Sequence, residues 1–174
     1  MDTNLEEGTS PSWWRTVLIG RRPKRTLVRI VVLAAVSFVV YTFMLVPIQI
    51  EGISMMPTYK DGSIHVVNRL SYLFHEPRRG DVVAIRLLAG GHVMYLKRIV
   101  GLPGERVAFH AGHLCINGQP VEEPYVKLRS NWEHEDMQVG LDQYYVVGDN
   151  REMGFDEHEK GRPARDFIVG KVLL

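Results

Sequence analysis

The chain has 174 residues, 45% of them hydrophobic and 24% charged, with a formal net charge of +1. That size fits one modest domain plus an appendage, and the composition excludes a wholly disordered chain and a broadly basic nucleic-acid-binding protein. A single cysteine, Cys115, excludes an internal disulfide and leaves the redox compartment open.

The first predicted element is an apolar run over residues 27–48, LVRIVVLAAVSFVVYTFMLVPI, whose one charge is Arg29. About 20 apolar residues suffice to cross hydrocarbon as a helix, so the run predicts a single transmembrane helix. A buried core helix would show a polar stripe at helical spacing, and only Ser37, Tyr41 and Thr42 interrupt the run. A cleaved secretory signal would end in small residues, whereas this run exits through Pro47-Ile48-Gln49-Ile50-Glu51. Arg15, Arg21, Arg22, Lys24, Arg25 and Arg29 crowd the N-terminal flank, which by the positive-inside rule puts residues 1–26 in the cytoplasm and residues 49–174 outside. Trp13 and Trp14 suit a membrane interface.

Beyond Gln49 the pattern changes to short β-like stretches at 63–67, 81–87, 93–100, 106–110, 113–116 and 144–147. Turn residues separate them, among them Ala89-Gly90-Gly91, Leu102-Pro103-Gly104, Ala111-Gly112 and the hairpin signal Asn117-Gly118. The expected fold is mainly β, an antiparallel sheet or barrel-like domain behind one helix. Strands do not alternate with long helical patterns, which disfavours a doubly wound α/β fold.

Ser54 follows the apolar run in Gly52-Ile53-Ser54-Met55-Met56-Pro57-Thr58. A serine in such a setting serves either as a turn residue or, with a base beside it, as a nucleophile. Gly52 permits close approach of another chain, and Pro57 stiffens the turn. None of the seven histidines has an obvious Asp-His-Ser context. His110, His113 and Cys115 invite a zinc reading, but the two histidines flank a turn and a second ligand pair is missing. The other base on offer is Lys97, in the apolar strand pattern Met94-Tyr95-Leu96-Lys97-Arg98-Ile99-Val100, where alternation puts it on the face of Tyr95 and Ile99 and turns Arg98 away. Lowering a lysine from about 10.4 to about 8 takes desolvation of about 3 kcal/mol, within reach of burial. The local alternative is a lysine that snorkels off a strand edge.

Four segments together resemble the type I signal peptidases. Ser54-Met55-Met56-Pro57-Thr58 matches that family's Ser-Met-x-Pro-Thr box, and Arg79-Gly80-Asp81-Val82-Val83 matches its Arg-Gly-Asp-Val-Val strand start. Lys97-Arg98-Ile99-Val100-Gly101-Leu102-Pro103-Gly104 matches the Lys-Arg-x-x-Gly-x-Pro-Gly box, and Gly148-Asp149-Asn150-Arg151 the Gly-Asp-Asn-Arg box, in the family's order. The resemblance implies a membrane-anchored serine endopeptidase that removes signal peptides from exported preproteins, with Ser54 as nucleophile and Lys97 as general base. It implies oxyanion support from the backbone of Gly52 and Ser54, and substrate-binding or structural support from Met55, Pro57, Tyr95, Gly148, Asp149, Asn150, Arg151 and Asp156. Expected partners are preproteins and membrane lipid, with no nucleic acid, no metal and no organic cofactor; oligomeric state is unreadable.

Four positions depart from the family pattern. Gly52 stands where some members carry an oxyanion serine, and Gly154 where a serine would hydrogen-bond the lysine; Glu157 and His158 follow Asp156 where serine and arginine are usual. A substrate strand is expected beside the Met55 segment. Leu70-Ser71-Tyr72-Leu73-Phe74 reads either as a shallow lipid contact or as a core-packed turn. The rival readings are a pilus-maturation peptidase of the same fold, a self-cleaving repressor, which would need a DNA-binding helix pair in place of the span, and a noncatalytic peptide-binding β domain, which Gly154 favours.

Overall fold

A computed structural model describes residues 23–86, 94–158 and 160–173. The tail with Trp13 and Trp14, the flanking Arg15, Arg21 and Arg22, the Ala89-Gly90-Gly91 turn and His92 lie outside the described residues. The chain divides into two units, Met1–Thr42 and Phe43–Leu174.

The first unit is described through an apolar helix, Pro23–Met44, which opens on a proline whose missing N–H costs nothing at a helix start. Its 22 residues extend about 33 Å, and Lys24–Met44 is long and apolar enough to cross a membrane. Leu27, Val31, Phe38 and Phe43 are among the many apolar side chains it exposes. The helix stops four residues short of the expected limit at 48, because Leu45–Gln49 is a strand, β1. Pro47 explains the stop: its ring would clash with the carbonyl four residues back, and it pushes Val46 into extended backbone. In β1, an edge strand, the proline is tolerated, and Val46 and Ile48 pack on the core.

The second unit is mainly antiparallel β. Its largest sheet joins β1 to β2 (Ile64–Asn68), β12 (Ile168–Leu173), β3 (Val82–Arg86), β4 (Met94–Gly101) and β10 (Tyr145–Val147), in that order. A second sheet orders β7 (Gln119–Pro120), β6 (His113–Ile116), β5 (Arg106–His110) and β9 (His134–Gln138), and β8 (Leu128–Arg129) pairs in parallel with β11 (Asn150–Arg151). All six expected strands form, two of them with the expected limits. The Ala111-Gly112 and Asn117-Gly118 hairpins close with positive φ at both central residues, 48° and 76° in the first and 51° and 79° in the second, the geometry of tight hairpin turns.

The strands that sequence patterning missed have clear reasons. β9 reads His-Glu-Asp-Met-Gln and is mostly solvent-facing, so no apolar alternation marks it. β12 inserts between β2 and β3, and its Gly170 meets β2 so closely that a Cβ would stand 2.5 Å from the Asn68 carbonyl oxygen.

Three apolar clusters fill the domain. One gathers Phe109, Leu114, Trp132 and Tyr145, a second Ile50, Met55, Tyr59, Val82 and Leu96, and the third Val83, Ile99, Val146 and Ile168. β4 feeds the last two from opposite faces, as the alternation of Leu96 and Ile99 requires.

Candidate active site

Ser54 sits in a turn between β1 and β2. The neck of this loop is closed by Ile50 N donating to the Ser63 carbonyl at 2.9 Å and Gly62 N to the Ile50 carbonyl at 2.8 Å. Gly52 has φ +101°, open to glycine at little strain, and its amide donates to Asp61 Oδ1 at 2.8 Å. The Gly52 amide is therefore engaged within the loop. Among the described residues no backbone hydrogen bond engages the Ser54 amide. Met55 is buried in the core with Tyr59, and Tyr59 N donates to the Met55 carbonyl at 3.0 Å; the Met56–Pro57 bond that follows is cis.

Lys97, only 3% exposed, reaches this turn from β4 and places Nζ 2.7 Å from Ser54 Oγ. The Tyr95 ring lies on the same strand face, its centroid 5.7 Å from Nζ. Arg98 points the other way, as alternation predicts, and makes a two-pronged ion pair with Asp149 at 2.7 and 2.6 Å. Burial alone would draw a proton off Arg98, but the bonds and charge of Asp149 outweigh it and hold the guanidinium above its ordinary range. The buried Tyr59 phenol, beside the same pair, is pushed up to about 12 chiefly by desolvation.

The Gly148-Asp149-Asn150-Arg151 segment grips the serine turn from the far side. Asn150 N donates to the Ser54 carbonyl at 3.0 Å, Asn150 Nδ2 to the Ile53 carbonyl at 3.1 Å, and Thr58 Oγ1 to Asp149 Oδ2 at 2.6 Å. Gly148 packs so closely that a Cβ there would lie 2.1 Å from the Ser54 carbonyl oxygen. The Arg-Gly-Asp strand start ties in separately: Arg79 bridges to Glu105 at 2.6 Å, and Arg98 Nη1 donates to the Gly80 carbonyl at 2.6 Å.

Ser54 and Lys97 open on a groove of about 1010 Å³ lined by Val46, Ile48, Met55, Met94, Tyr95 and Leu96. The substrate strand expected beside Met55 finds no extended backbone there, since residues 54–58 are turn. Extended backbone is offered instead by edge strand β1 and by the first half of β4, because β10 pairs only with residues Arg98, Ile99 and Gly101 of that strand.

The structure does not bring Asp156 to the pair. Its side chain is fully solvent-exposed, 3.8 Å from Lys160, and a side chain at Gly154 would first meet Glu157 at 3.5 Å. The reason lies in Phe155, which packs on Phe109 and Trp132 and draws residues 152–156 onto the second sheet; Trp132 Nε1 donates to the Met153 carbonyl at 2.8 Å. Three contributors escaped sequence reasoning. His158, 3% exposed, puts Cε1 2.5 Å from where a Gly148 Cβ would stand. Glu123 receives Arg151 Nη2 at 2.6 Å, and the Tyr125 ring stacks 3.9 Å from Arg98. No local pattern marks a glutamate and a tyrosine in a loop as partners of two distant arginines. His110, considered for zinc, pairs with Glu133 at 2.8 Å.

A serine hydroxyl held against a buried amine, at the mouth of a groove edged by unpaired strand backbone, is an arrangement able to carry out acyl transfer on an extended peptide. The family model for signal peptidase, peptidase S26, matches residues 24–174. Signal peptidase I of Leptolyngbya laminosa is 34% identical over 128 residues, 70% of this chain and 63% of that protein. The chain thus spans somewhat less than two thirds of that relative's length. Signal peptidase IB of Staphylococcus aureus is 32% identical over 164 residues, 84% of this chain and 85% of that protein. A crystal structure of a signal peptidase I from Enterococcus faecalis aligns with 55% of this chain and 96% of its own, at 27% identity and a TM-score of 0.44. The chain belongs to the type I signal peptidases of the S26 family.

Proposed function

We propose that this chain cuts signal peptides from exported preproteins through an acyl-enzyme on Ser54, with Lys97 as its general base. The observation that carries the reading is the 2.7 Å separation of Lys97 Nζ and Ser54 Oγ with the lysine almost wholly buried. Burial disfavours an ammonium ion, and a neutral amine can accept the serine proton. Ser54 Oγ then attacks the scissile carbonyl carbon while its proton passes to Nζ. The oxyanion that forms is met by the Ser54 amide. Collapse of this intermediate breaks the C–N bond, and the Lys97 ammonium protonates the departing amine of the mature protein. Water, giving its proton to Nζ, attacks the ester carbonyl and frees the signal peptide, with Ser54 reprotonated.

The peptide lies extended in the groove between β1 and residues Met94 to Lys97, its backbone bonding to unpaired strand edges and alternate side chains entering the apolar lining. The apolar helix anchors the chain in the membrane, with the basic N-terminal flank in the cytoplasm and the β domain on the opposite face. Leu73 and Phe74 are exposed by 63% and 94% at the end of the short helix Arg69–Tyr72, and Arg69 Nη1 donates to the Phe43 carbonyl at 3.4 Å. The exposure of Leu73 and Phe74 supports placing the two apolar side chains at the lipid surface. The test of the activity is Ser54→Ala in detergent-solubilised protein with a preprotein substrate. Cleavage is expected to fall by at least about 10⁴-fold. Processing at the wild-type rate would overturn the reading.

A further inference from the structure

We propose that Glu123 and Tyr125, in the loop between β7 and β8, are positioning residues that set the geometry of the nucleophile turn through two arginines. The proposal rests on the reading of Ser54 as nucleophile, but it concerns residues outside every motif that carries the family resemblance.

Glu123 is one of the most deeply buried charges in the domain, its side chain 0% exposed against 2% for Arg151. Its two carboxylate oxygens take Arg151 Nη2 at 2.6 Å and Nη1 at 3.1 Å, a two-pronged pairing that fixes the plane of the guanidinium. With that plane fixed, Arg151 Nε donates to the Gly148 carbonyl at 2.8 Å. Gly148 is the residue whose Cα abuts the Ser54 carbonyl. A second branch leaves the same carboxylate. The Tyr125 hydroxyl donates to Glu123 Oε1 at 3.0 Å, and its ring lies 3.9 Å from the Arg98 guanidinium, which in turn clamps Asp149. One short loop thereby holds both arginines that bond the Gly148-Asp149-Asn150 run, Arg151 at the Gly148 carbonyl and Arg98 at the Asp149 carboxylate. Asn150 passes the constraint on through its two bonds to the Ile53 and Ser54 carbonyls.

Stability alone does not explain the arrangement, because a buried ion pair is often replaceable by apolar groups of like volume without loss. What an apolar pair cannot supply is the directional hold on the Gly148 carbonyl. A shift of about 1 Å in a nucleophile costs roughly 10²-fold in rate, so the orientation of Arg151 is felt at Ser54.

The test compares Glu123→Gln, Glu123→Asp and Tyr125→Phe in the full detergent-solubilised chain, cleaving a preprotein at 10 °C, with thermal melting measured alongside. Arg106→Gln, which removes only an exposed pair with Asp136, is the control. Expected for Glu123→Gln is a kcat per folded molecule reduced tenfold or more with KM within twofold, and partial recovery in Glu123→Asp. Tyr125→Phe is expected to lose three- to tenfold in kcat at unchanged KM. A kcat per folded molecule within twofold of wild type, with only the melting temperature lowered, would reduce the cluster to a stability element and overturn the proposal. If Glu123→Gln does not fold, Tyr125→Phe decides by the same criterion. Continued cleavage by Ser54→Ala would instead strike at the nucleophile reading, whereas a silent Ser54→Ala beside a fully active Glu123→Gln would refute the positioning role alone.

Discussion

Gly148 and Ser54 meet backbone to backbone: a Cβ on Gly148 would lie 2.1 Å from the Ser54 carbonyl oxygen and 2.5 Å from His158 Cε1. The Ser54 carbonyl is backbone and has no side-chain rotamer by which to step aside, so the turn that carries Ser54 must move to admit even a methyl group. Gly148→Ala is expected to lower kcat about 100-fold, the scale of a misplacement near 1 Å, in a protein that still melts cooperatively. Steady-state cleavage of a preprotein, with melting followed by circular dichroism, checks this.

The Arg98–Asp149 pair lies deeper, its side chains 10% and 0% exposed. Asp149→Ala would strand Arg98 without a counter-charge and release Thr58 Oγ1. Removing one partner of a buried pair costs about 3–5 kcal/mol, and urea denaturation should register a loss of that size.

Asp81 takes Lys171 Nζ at 2.6 Å, the Arg78 amide at 3.0 Å and the Tyr72 hydroxyl at 3.1 Å. Burial works to raise its pKa, but these hydrogen bonds and the Lys171 charge prevail, and the folded value lies below the ordinary one. In the window between the two values the unfolded chain binds more protons than the folded one. The stabilisation is therefore present above the unfolded value, about 3.9, and is lost as pH falls through the folded value. Melting temperatures measured from pH 6 down to pH 2 should drop less steeply in Asp81→Asn than in wild type.

Leu73 and Phe74 provide the test of lipid contact. A bimane label on Phe74→Cys should shift to shorter wavelength when the full chain is reconstituted in bilayers, and Leu73→Glu should reverse that shift. Emission unchanged between bilayer and detergent-free buffer would place this tip in water.

The parts legible in the sequence were those with local signatures. Asn117-Gly118 announces a hairpin because both residues accept positive φ, and the alternation in β4 separates Lys97 from Arg98. The ordered motifs brought Ser54, Lys97 and Asp149 into one account, and the structure brings them together. Other features depended on distant partners. The apolar run gave no sign, apart from Pro47, that its last residues form an edge strand, since helix and strand look alike in an unbroken apolar stretch. The family resemblance grouped Asp156 with Asp149, but Phe155 packs on the Phe109–Trp132 cluster and its neighbour Asp156 stands at the surface. Glu123 and Tyr125 acquire meaning only once folding sets them against Arg151 and Arg98.

The central claim is that the Lys97 amine takes the Ser54 proton, and Lys97→Met tests it most directly, because the substitution keeps an unbranched chain of similar length and removes the base. Single-turnover cleavage of a preprotein by this variant, in detergent and with folding verified by melting, should be slower than wild type by at least about 10³-fold. A rate within tenfold of wild type would contradict the account.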